Sequence, residues 1–392
     1  RHIIGMLQGY QIAVVLDNDP QKAGQLWAGV PVHQTDEFLK AHSGENYKFI
    51  VPTRSYRAIC EQLNYYGYEI HKQVFATYCR NEYFTESLLE QKINHIAEGK
   101  QLYDKLREVY PTEKMYICLH PGTGDVFLSG IYWEDILKND HVTSFVAVTT
   151  SQACKKVLEL FGINAIVIPG DVAGRLVYFL KLAGVDCTNA RVLNDDHYYL
   201  VGRDFQGYKC LDFHTLFRRM VLGVKDARSI PQLMQTNADH WFSSLGLIKN
   251  KTVLLAPYAK SVDTIIPNEM WEQIAEQLIS CGYTVCTNVA PKGETPIRGT
   301  IGITIPYHEL LDFLDKAGGL IAMRSGLCDV VAGTKAKKII FYPDRNVYGN
   351  RSFYSYFSLE KMGLAKENLT ELEFHSASQD ELMEAVLQMF CK

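Results

Sequence analysis

The stretch from residue 317 to residue 344 constrains the fold more than any other part of the sequence. It reads AGGLIAMRSGLCDVVAGTKAKKIIFYPD, with one apolar run at 320–323 and a second at 338–342. An Arg-Ser-Gly loop and a short helix over 327–333 fit between the two runs. Because a helical crossover joins strands that run in the same direction, this stretch predicts a βαβ unit in a parallel sheet.

The same alternation of strands and helices continues through the chain. A length of 392 residues, at about 150 residues for each domain, allows two to three domains. We predict an α/β protein with two tandem Rossmann-like domains, in residues 111–245 and 246–392. A small Rossmann-like module covers 1–80, and a charged helical connector covers 81–110. The chain begins at Arg1 inside helix-like sequence, so we expect that this module is truncated at its N terminus.

Apolar runs and helical periodicity define the individual elements. The predicted strands are 11–16, 48–52, 115–119, 145–149, 165–169, 252–256, 284–288, 320–323 and 338–342. The predicted helices are 35–40, 56–66, 82–109, 151–161, 172–182, 268–281, 307–317, 327–333 and 379–390. Gly318 and Gly319 are expected to end the helix before them. Residues 199–201, 210–213 and 217–222 stay without an assignment.

Composition excludes several classes of protein. Hydrophobic residues make up 47% and charged residues 21%, the balance of a soluble globular chain. A net charge of -4 supplies no basic field for nucleic acid. No apolar run approaches the roughly 18–20 residues of a membrane span. The ten cysteines form no CxxC pair and no zinc-finger spacing. We therefore expect small apolar thiols in a reducing, cytoplasmic compartment and no metal site.

The first candidate for chemistry is the glycine loop after the strand at 115–119, which reads HPGTGD from His120 to Asp125. Gly122 and Gly124 let the backbone turn tightly and approach a ligand. Asp125 falls in the first turn of a helix, where a carboxylate can cap backbone N–H groups or accept a proton from an attacking hydroxyl. His120 allows the same two interpretations, a structural role or a catalytic one.

Two further loops carry groups suited to a phosphate. The strand at 252–256 ends in a loop with Tyr258, Lys260 and Ser261, in which the lysine supplies a point charge and the serine a hydroxyl. A solvated surface loop is the alternative. The strand at 320–323 ends in the second loop, whose residues are Arg324, Ser325 and Gly326.

The Arg-Ser-Gly loop has the layout of an anion site. Backbone N–H groups and a helix start face the ligand, and the guanidinium adds charge and two parallel donors. Asp329 falls in the first turn of the following helix, where it can bond a hydroxyl or favour the helix dipole. An ordinary βαβ turn with a capping serine is the alternative.

Other polar segments allow two interpretations each. Asp17 ends a strand at a position where α/β proteins often bind a ribose, although a docking module without ligand also fits. The sequence from Asp195 to His197 is either a metal site or, as we expect, a polar turn. The aromatic residues of 348–359 either stack on a ligand or cover the core, and Arg345 and Arg351 are further candidates for phosphate contact.

Residues 111–392 resemble glycosyltransferases of the GT-B fold, nearest to the heptosyltransferase-like branch. The matching features are Gly124-Asp125, the basic loop of 257–261, the helix motif with Trp271 and Ile274, and the Ser-Gly loop. The family usually has Asp before Ser-Gly, whereas this chain has Arg324, which is similar to the diphosphate-binding arginines of fucosyltransferase-like GT-B enzymes. The segment 14–32 resembles Rossmann-like modules on sugar acyltransferases and sugar-biosynthesis proteins.

The resemblance implies a transferase that uses a nucleotide-activated sugar and a hydroxyl acceptor, either a glycan or a lipid-linked molecule, in surface glycan synthesis. It implies that the Ser-Gly loop binds the donor diphosphate and that Asp125 is a candidate base. We expect no metal and no other cofactor. Peripheral association with the inner membrane face stays open. The alternatives are a nucleotide-dependent alcohol-phosphate transferase and a nucleotide-sugar-binding protein without turnover.

Overall fold

The structure of the protein is a computed structural model, and the helices and strands given below lie within the residues that it describes. These residues are 11–51, 56–69, 73–76, 86–119, 122–183, 189–193, 212–259, 266–290, 293–347, 351–365, 367–375 and 379–392. His120, Lys260, Ser261 and the segment from Asp195 to His197 lie outside them, so the hypotheses on those residues stay predictions.

Strands and helices alternate as the sequence predicts. The strands are β1 (Val15–Asp17), β2 (Leu26–Trp27), β3 (Val30–Gln34), β4 (Phe49–Val51), β5 (Val74–Ala76), β6 (Lys114–Cys118), β7 (Phe145–Thr149), β8 (Ala165–Val167), β9 (Ala190–Val192), β10 (Thr252–Ala256), β11 (Thr284–Asn288), β12 (Ile301–Ile303), β13 (Gly318–Met323), β14 (Lys337–Pro343), β15 (Asn346–Val347), β16 (Arg351–Ser352) and β17 (Leu369–Phe374). The α-helices are α1 (Thr35–Ala41), α2 (Tyr56–Tyr65), α3 (Glu86–Val109), α4 (Thr123–Ile131), α5 (Trp133–Asn139), α6 (Gln152–Glu159), α7 (Gly170–Ala183), α8 (Phe213–Leu216), α9 (Asp239–Leu245), α10 (Asn268–Ser280), α11 (Tyr307–Ala317), α12 (Gly326–Val331), α13 (Phe353–Phe357) and α14 (Gln379–Val386).

The chain forms two compact units. The first contains Arg1–Leu119 with two later segments, Ser144–Val146 and Ile168–Val192. The second contains the rest, including Leu193–Lys392. The sequence predicts divisions after residues 80, 110 and 245, which is a different partition, and the predicted domain boundaries stay a prediction.

In the first unit, short parallel strand pairs carry the core. β1 pairs with β3, β4 with β5, and β6 with β9, all in parallel, while β2 closes an antiparallel hairpin on β3. The charged helix α3 packs against α7, where Arg175 bonds Glu98 at 2.5 Å. Asp17, at the end of β1, accepts hydrogen bonds from the backbone of Asp19 and from Lys22. These local partners give Asp17 a turn-forming role, and its ribose-binding role stays a prediction.

The second unit is built on a six-stranded, all-parallel sheet. Its strand order is β12-β11-β10-β13-β14-β17. In sequence order within this sheet, that is 3-2-1-4-5-6, the order of the doubly wound Rossmann fold. Such a sheet is covered on both faces, so its central strands are apolar throughout, and all five residues of β10 are buried. This confirms the predicted Rossmann-like α/β class for the C-terminal part.

The helices of this sheet follow from their apolar stripes. Buried residues on α10 are Met270, Trp271, Ile274, Ala275 and Leu278, at the spacing of one helix face. Helix α11 ends at Gly318, whose φ of 101° lies in the left-handed region that favours glycine, as the sequence predicts. The residues left unassigned at 217–222 are largely a π-helical turn, Phe217–Val221.

The C-terminal end corrects one expectation. The predicted helix 379–390 forms as α14 followed by a π-helical turn, Leu387–Cys391. There, Cys391 makes a disulfide with Cys281 at the end of α10. The expectation of unpaired cysteines is therefore wrong for this pair, because residues 110 positions apart in the sequence give no local signal of pairing. Five other described cysteines are buried and outside any disulfide, namely Cys60, Cys118, Cys154, Cys286 and Cys328.

Within the described residues, none of the helices combines the length and the apolar character that crossing a bilayer requires.

Candidate functional site

The candidate site lies where the two halves of the six-stranded sheet diverge. β10 and β13 are neighbours in the sheet and pair as far as Ala256 and Ala322. The next strands, β11 and β14, extend to opposite sides. Ligands of doubly wound sheets bind outside the carboxyl ends of the strands at this switch point. The loops that leave β10 and β13 there contain Tyr258 and Arg324, two of the residues predicted for donor binding.

Arg324 forms a buried ion pair with Asp329. The two guanidinium nitrogens Nη1 and Nη2 donate to the two carboxylate oxygens of Asp329, at 3.0 and 2.6 Å. Nη1 also donates to the carbonyl of Ser325 at 2.6 Å, and Nε donates to the carbonyl of Phe357 at 3.0 Å. Both charged residues are about 5% exposed, at 5% for Arg324 and 4% for Asp329. The guanidinium therefore holds three segments of the chain together.

Burial and pairing act on this pair in opposite directions. Burial raises the pKa of the Asp329 carboxyl, and the nearby guanidinium of Arg324 opposes that rise. Burial, the largest single effect, lowers the pKa of Arg324, but the charge of Asp329, neighbouring groups and the hydrogen bond to Asp329 together outweigh it, and the net shift is upward. Arg324 is therefore a permanent positive charge beneath the loop. The sequence predicts a hydroxyl or the helix dipole as the partner of Asp329, whereas in the fold Arg324 binds its carboxylate.

The two predicted glycine loops are in contact. A Cβ atom on Gly326 would lie 2.3 Å from Thr123 Oγ1 and 2.5 Å from the backbone nitrogen of Gly124. A Cβ atom on Gly124 would lie 2.4 Å from Asp329 Oδ2. At distances this short, a side chain at either position would force its neighbours to move. The first turn of α4 and the first turn of α12 thus pack directly on each other.

Tyr307 adds a polar contact to this junction. Its phenol is hydrogen-bonded to the side chain of Thr123, and the charge of Asp329 is near enough to act on it. Burial raises the pKa of Tyr307, so its hydroxyl keeps its proton near neutral pH. The junction is therefore polar, tightly packed and built from two helix starts.

Asp125 lies in the first turn of α4, one residue beyond the contact. The N-cap residue of this helix is Gly122, which has no side chain to cap the free N–H groups. The carboxylate of Asp125 lies near Gly122, since a Cβ atom there would be 3.6 Å from Asp125 Oδ2. Asp125 is partly exposed, and Ser129 donates to its backbone carbonyl at 2.9 Å. The structure brings Asp125, Gly122 and Gly124 to the same place as Gly326 and Asp329.

Ser325 is the N-cap residue of α12, but its side chain makes no capping hydrogen bond. Its hydroxyl lies 3.8 Å from Cys328 Sγ, and the residue is partly exposed. Burial raises the pKa of the Cys328 thiol, which also donates to the carbonyl of Met323. Cys328 is therefore a packing residue, and the Ser325 hydroxyl and the first backbone N–H groups of α12 are the groups of this turn suited to an anion.

Tyr258 reaches across the sheet edge to the loop that follows β11. Its hydroxyl donates to the carbonyl of Thr295 at 2.5 Å. The phenol is thereby fixed in orientation, and the residue is partly exposed.

Sequence reasoning missed His214. Nδ1 of its imidazole lies 2.7 Å from the carbonyl oxygen of Met362, and Nε2 lies 3.0 Å from the Tyr132 hydroxyl. Burial lowers the pKa of His214. Asp212 caps the short helix α8, an ordinary helix-start signal in the sequence. No local pattern gives the partners of His214, which lie 82 and 148 residues away.

The aromatic segment predicted at 348–359 covers the core in its described part. Phe353 and Tyr356 are buried on α13. Glu371 on β17 anchors the end of the segment, because it accepts from Ser358 Oγ at 2.6 Å and from the Leu359 backbone at 2.7 Å. Tyr342 also donates to Glu371. Arg345 lies over the ring of Phe353, so phosphate contact by Arg345 stays a prediction.

Within the described stretches, no group of three or more His, Cys, Asp and Glu residues is arranged to hold a metal ion.

Comparison with known proteins gives matches among solved structures. No protein family matches the sequence, and no curated protein does. A glycosyl transferase of family 9 from Veillonella parvula covers 71% of this chain and 96% of its own, at 16% identity and a TM-score of 0.46. The ADP-heptose lipopolysaccharide heptosyltransferase II of E. coli covers 71% and 98%, at 11% identity and a TM-score of 0.48.

A third match is the iron-containing dodecameric glycosyltransferase TibC of enterotoxigenic E. coli, at 16% identity and a TM-score of 0.41. It covers 66% of this chain and 63% of its own. These three solved structures are glycosyltransferases, and each matches this chain with a TM-score below 0.5. At these identities the likeness concerns the fold, and it assigns no role to any residue.

Proposed function

We propose that the protein is a glycosyltransferase that moves a sugar from a nucleotide-activated donor to a hydroxyl of an acceptor in surface glycan synthesis. The contact of Gly326 with Thr123 and Gly124 carries this proposal. It joins the loop suited to a donor diphosphate to the first turn of the helix that bears Asp125. A transferase needs its leaving-group site and its base on either side of one reacting carbon.

The donor diphosphate binds at the switch point between β10 and β13. The Ser325 hydroxyl, the backbone N–H groups at Gly326 and the side chains of Lys260 and Ser261 hold its oxygens. Tyr258 lines the same edge beside the strand end. Arg324 acts from below: its carbonyl contacts fix the loop, and its charge favours the anion.

The reaction forms a bond between the acceptor oxygen and the anomeric carbon of the donor sugar. The bond between that carbon and the diphosphate oxygen breaks, and its electrons leave with the diphosphate. Asp125 takes the proton of the acceptor hydroxyl. Lys260 and Arg324 stabilise the negative charge on the departing oxygens, so we propose that turnover needs no divalent cation.

The partners under this proposal are a nucleotide-sugar and a glycan or lipid-linked acceptor. The site of action is the cytoplasm, with the inner membrane face as the place to meet a lipid-linked acceptor. The experiment below identifies the nucleotide base and the sugar of the donor.

Thermal unfolding in the presence of UDP, GDP, ADP, CDP or CMP tests the proposal. A nucleotide at 100 times its dissociation constant adds about 2.7 kcal/mol of stability, a clear rise in the melting temperature. The sugar conjugates of the nucleotide that binds are then assayed for transfer. A glycosidic product supports the proposal, whereas a phosphodiester product supports the alcohol-phosphate transferase. Absence of binding by every nucleotide contradicts both.

A matched pair of variants locates the site. Ser325→Ala removes the hydroxyl that makes no capping bond, and we expect weaker nucleotide binding with little loss of stability. Ser129→Ala removes a buried hydroxyl that bonds within α4, and we expect unchanged binding. Equal binding by both variants would exclude the Ser325 loop as the donor site.

A further inference from the structure

The imidazole of His214 has a tautomer that its partners determine. The Met362 carbonyl, 2.7 Å from Nδ1, can only accept a hydrogen bond, so Nδ1 carries a hydrogen. Nε2 of a neutral ring then has a free lone pair, and the Tyr132 hydroxyl donates to it at 3.0 Å. A neutral His214 therefore links Tyr132 to the backbone at Met362.

Tyr132 connects His214 to the C-terminal end of α4. It is the C-cap residue of this helix and is fully buried. Asp125, the proposed base, lies in the first turn of the same helix. Because an α-helix of nine residues moves as a rigid body, fixing Tyr132 fixes the direction in which the first turn points.

The Met362 side of the link is equally well anchored. The backbone N–H of Met362 donates to the Ser358 carbonyl at 2.9 Å. The hydroxyl of Ser358 donates to Glu371 at 2.6 Å, which ties the turn to β17 of the central sheet. His214 thus connects the helix that bears Asp125 to a turn fixed on the sheet.

The connections close a ring through the candidate site. The residue before Ser358 is Phe357, whose carbonyl accepts from Arg324 Nε. Arg324 pairs with Asp329, and Asp329 lies against Gly124 at the start of α4. The helix is therefore held at its first turn by the ion pair and at its last residue by His214.

We propose that His214, as a neutral imidazole, is a positioning residue that holds the C-terminal end of α4 and thereby orients Asp125 toward the donor loop. This rests on the proposed function, in which Asp125 is the base. His214 acts through Tyr132 and the helix, and not on the substrate.

Protonation of His214 removes the hydrogen bond that Tyr132 donates to Nε2. A charged ring carries hydrogens on both nitrogens, so Nε2 no longer accepts from Tyr132 and the phenol hydrogen loses its acceptor. The Tyr132 oxygen is already hydrogen-bonded by the backbone of Arg228. Leaving a buried hydroxyl without an acceptor is unfavourable.

The charged groups around the ring in the described residues are Asp212 on its own segment, Arg218 on the π-helical turn, and Asp329 on α12. The two carboxylates favour a charged ring and Arg218 opposes it. Burial is the largest effect and favours the neutral ring. The hydrogen-bond geometry and the electrostatics therefore both favour the neutral ring.

Two substitutions break the link from either side. Tyr132→Phe removes only the hydroxyl, and His214→Asn keeps a donor near Nδ1 while it removes the acceptor at Nε2. Tyr68→Phe is the matched control, because Tyr68 is 1% exposed and its hydroxyl donates at 2.6 Å to the His42 carbonyl in the other unit.

The first measurement needs no substrate. Nitrogen-15 NMR of histidine-labelled protein identifies the His214 resonances by their loss in His214→Asn. We expect the Nδ1–H tautomer, and a titration midpoint below 6.5 that Tyr132→Phe changes and Tyr68→Phe leaves alone. An Nε2–H tautomer, or a midpoint that Tyr132→Phe does not move, would overturn the proposal.

The second measurement separates positioning from local packing. We expect Tyr132→Phe to accelerate amide hydrogen exchange in residues 124–127, at the far end of α4. In transfer assays we expect kcat to fall about ten- to a hundred-fold, as small misplacements of catalytic groups do, with the donor KM unchanged. Faster exchange confined to residues 130–133 would contradict the proposal. If no donor is turned over, the proposed function fails, and the exchange pattern still decides whether His214 positions the helix.

Discussion

Arg324 and Asp329 form a two-point ion pair, with nitrogen–oxygen distances of 3.0 and 2.6 Å, at the switch point of the parallel sheet. The pair is shielded from solvent, and its members belong to the same strand–loop–helix unit. Its charge and its hydrogen bonds together determine the shape of the loop between β13 and α12.

Removal of one partner of this pair should destabilise the protein strongly. Asp329→Ala leaves the guanidinium of Arg324 buried without its counter-ion, which costs about 3–5 kcal/mol. Replacement of both residues together, by Arg324→Met and Asp329→Leu, should restore much of the loss because no buried charge remains. Urea unfolding of the three proteins checks this. If the double variant is no more stable than Asp329→Ala, the unpaired buried charge is not the cause of the destabilisation.

The same double variant separates folding from donor binding. The restored protein lacks the guanidinium that fixes the loop through the carbonyls of Ser325 and Phe357, so we expect nucleotide diphosphate binding to weaken. Isothermal titration on the folded variant measures it, and native affinity would exclude Arg324 from donor binding.

Asp125→Asn tests the base. Asparagine keeps the shape and the capping ability of the side chain but accepts no proton, so transfer should slow by about 10²–10⁴-fold. Donor affinity should stay the same, and the melting temperature should fall only slightly, since a negative charge in the first turn of a helix contributes about 0.3–1 kcal/mol. Asp171→Asn, in the first turn of α7, is the control and should retain full turnover. If Asp125→Asn also retains it, His120 becomes the next candidate.

Chelation tests the proposed charge stabilisation. If Lys260 and Arg324 neutralise the leaving diphosphate, EDTA should leave the initial rate unchanged and added Mg²⁺ or Mn²⁺ should not raise it. The measurement is the rate of sugar transfer at saturating donor after dialysis against EDTA. Activity that disappears with EDTA and returns with a divalent cation would refute the metal-independent mechanism.

His214 should make stability depend on pH in one direction. Burial lowers its pKa below the ordinary value of 6.5, so the unfolded chain binds the proton more tightly than the native protein. The contribution of His214 to the free energy of unfolding is therefore complete above pH 6.5 and is lost as the pH falls toward the lowered pKa. The difference in unfolding free energy between the protein and His214→Asn, measured from pH 8 to pH 5, should narrow on acidification. A constant difference would contradict a lowered pKa.

The sequence predicts elements and loops better than it predicts partners. Strong local signals, such as the buried run of β10 and the glycine that ends α11, gave the correct elements because each depends on neighbours in the sequence. The loop after β13 was found for the same reason. The sequence does not predict that Arg324 bonds Asp329 and Phe357. Whether a side chain binds a ligand or another part of the protein depends on tertiary packing.

The partners of His214 are also beyond prediction from the local sequence. Its local sequence indicates only a capped helix start, and its two partners come from distant segments. The pairing of Cys281 with Cys391 is likewise a product of the fold, since it depends on how α14 returns to α10.

The disulfide should contribute measurably to stability. It closes a loop of 110 residues, and loops of about 100 residues correspond to about 4.7 kcal/mol in the chain-entropy treatment. We expect dithiothreitol to lower the melting temperature of the protein and to have no effect on Cys391→Ser. Equal melting temperatures with and without the reductant, in protein shown by mass spectrometry to be reduced, would contradict this.

That covalent loop also determines how the second unit bears mechanical load. Of the six strands of the parallel sheet, it encloses β11, β12, β13, β14 and β17 and leaves the central strand β10 outside. A force that pulls on the C terminus passes from Cys391 directly to Cys281 at the end of α10. The strands within the loop carry none of that force along the covalent chain while the bond is intact, and the load passes instead through α10 to β10, the central strand of the sheet.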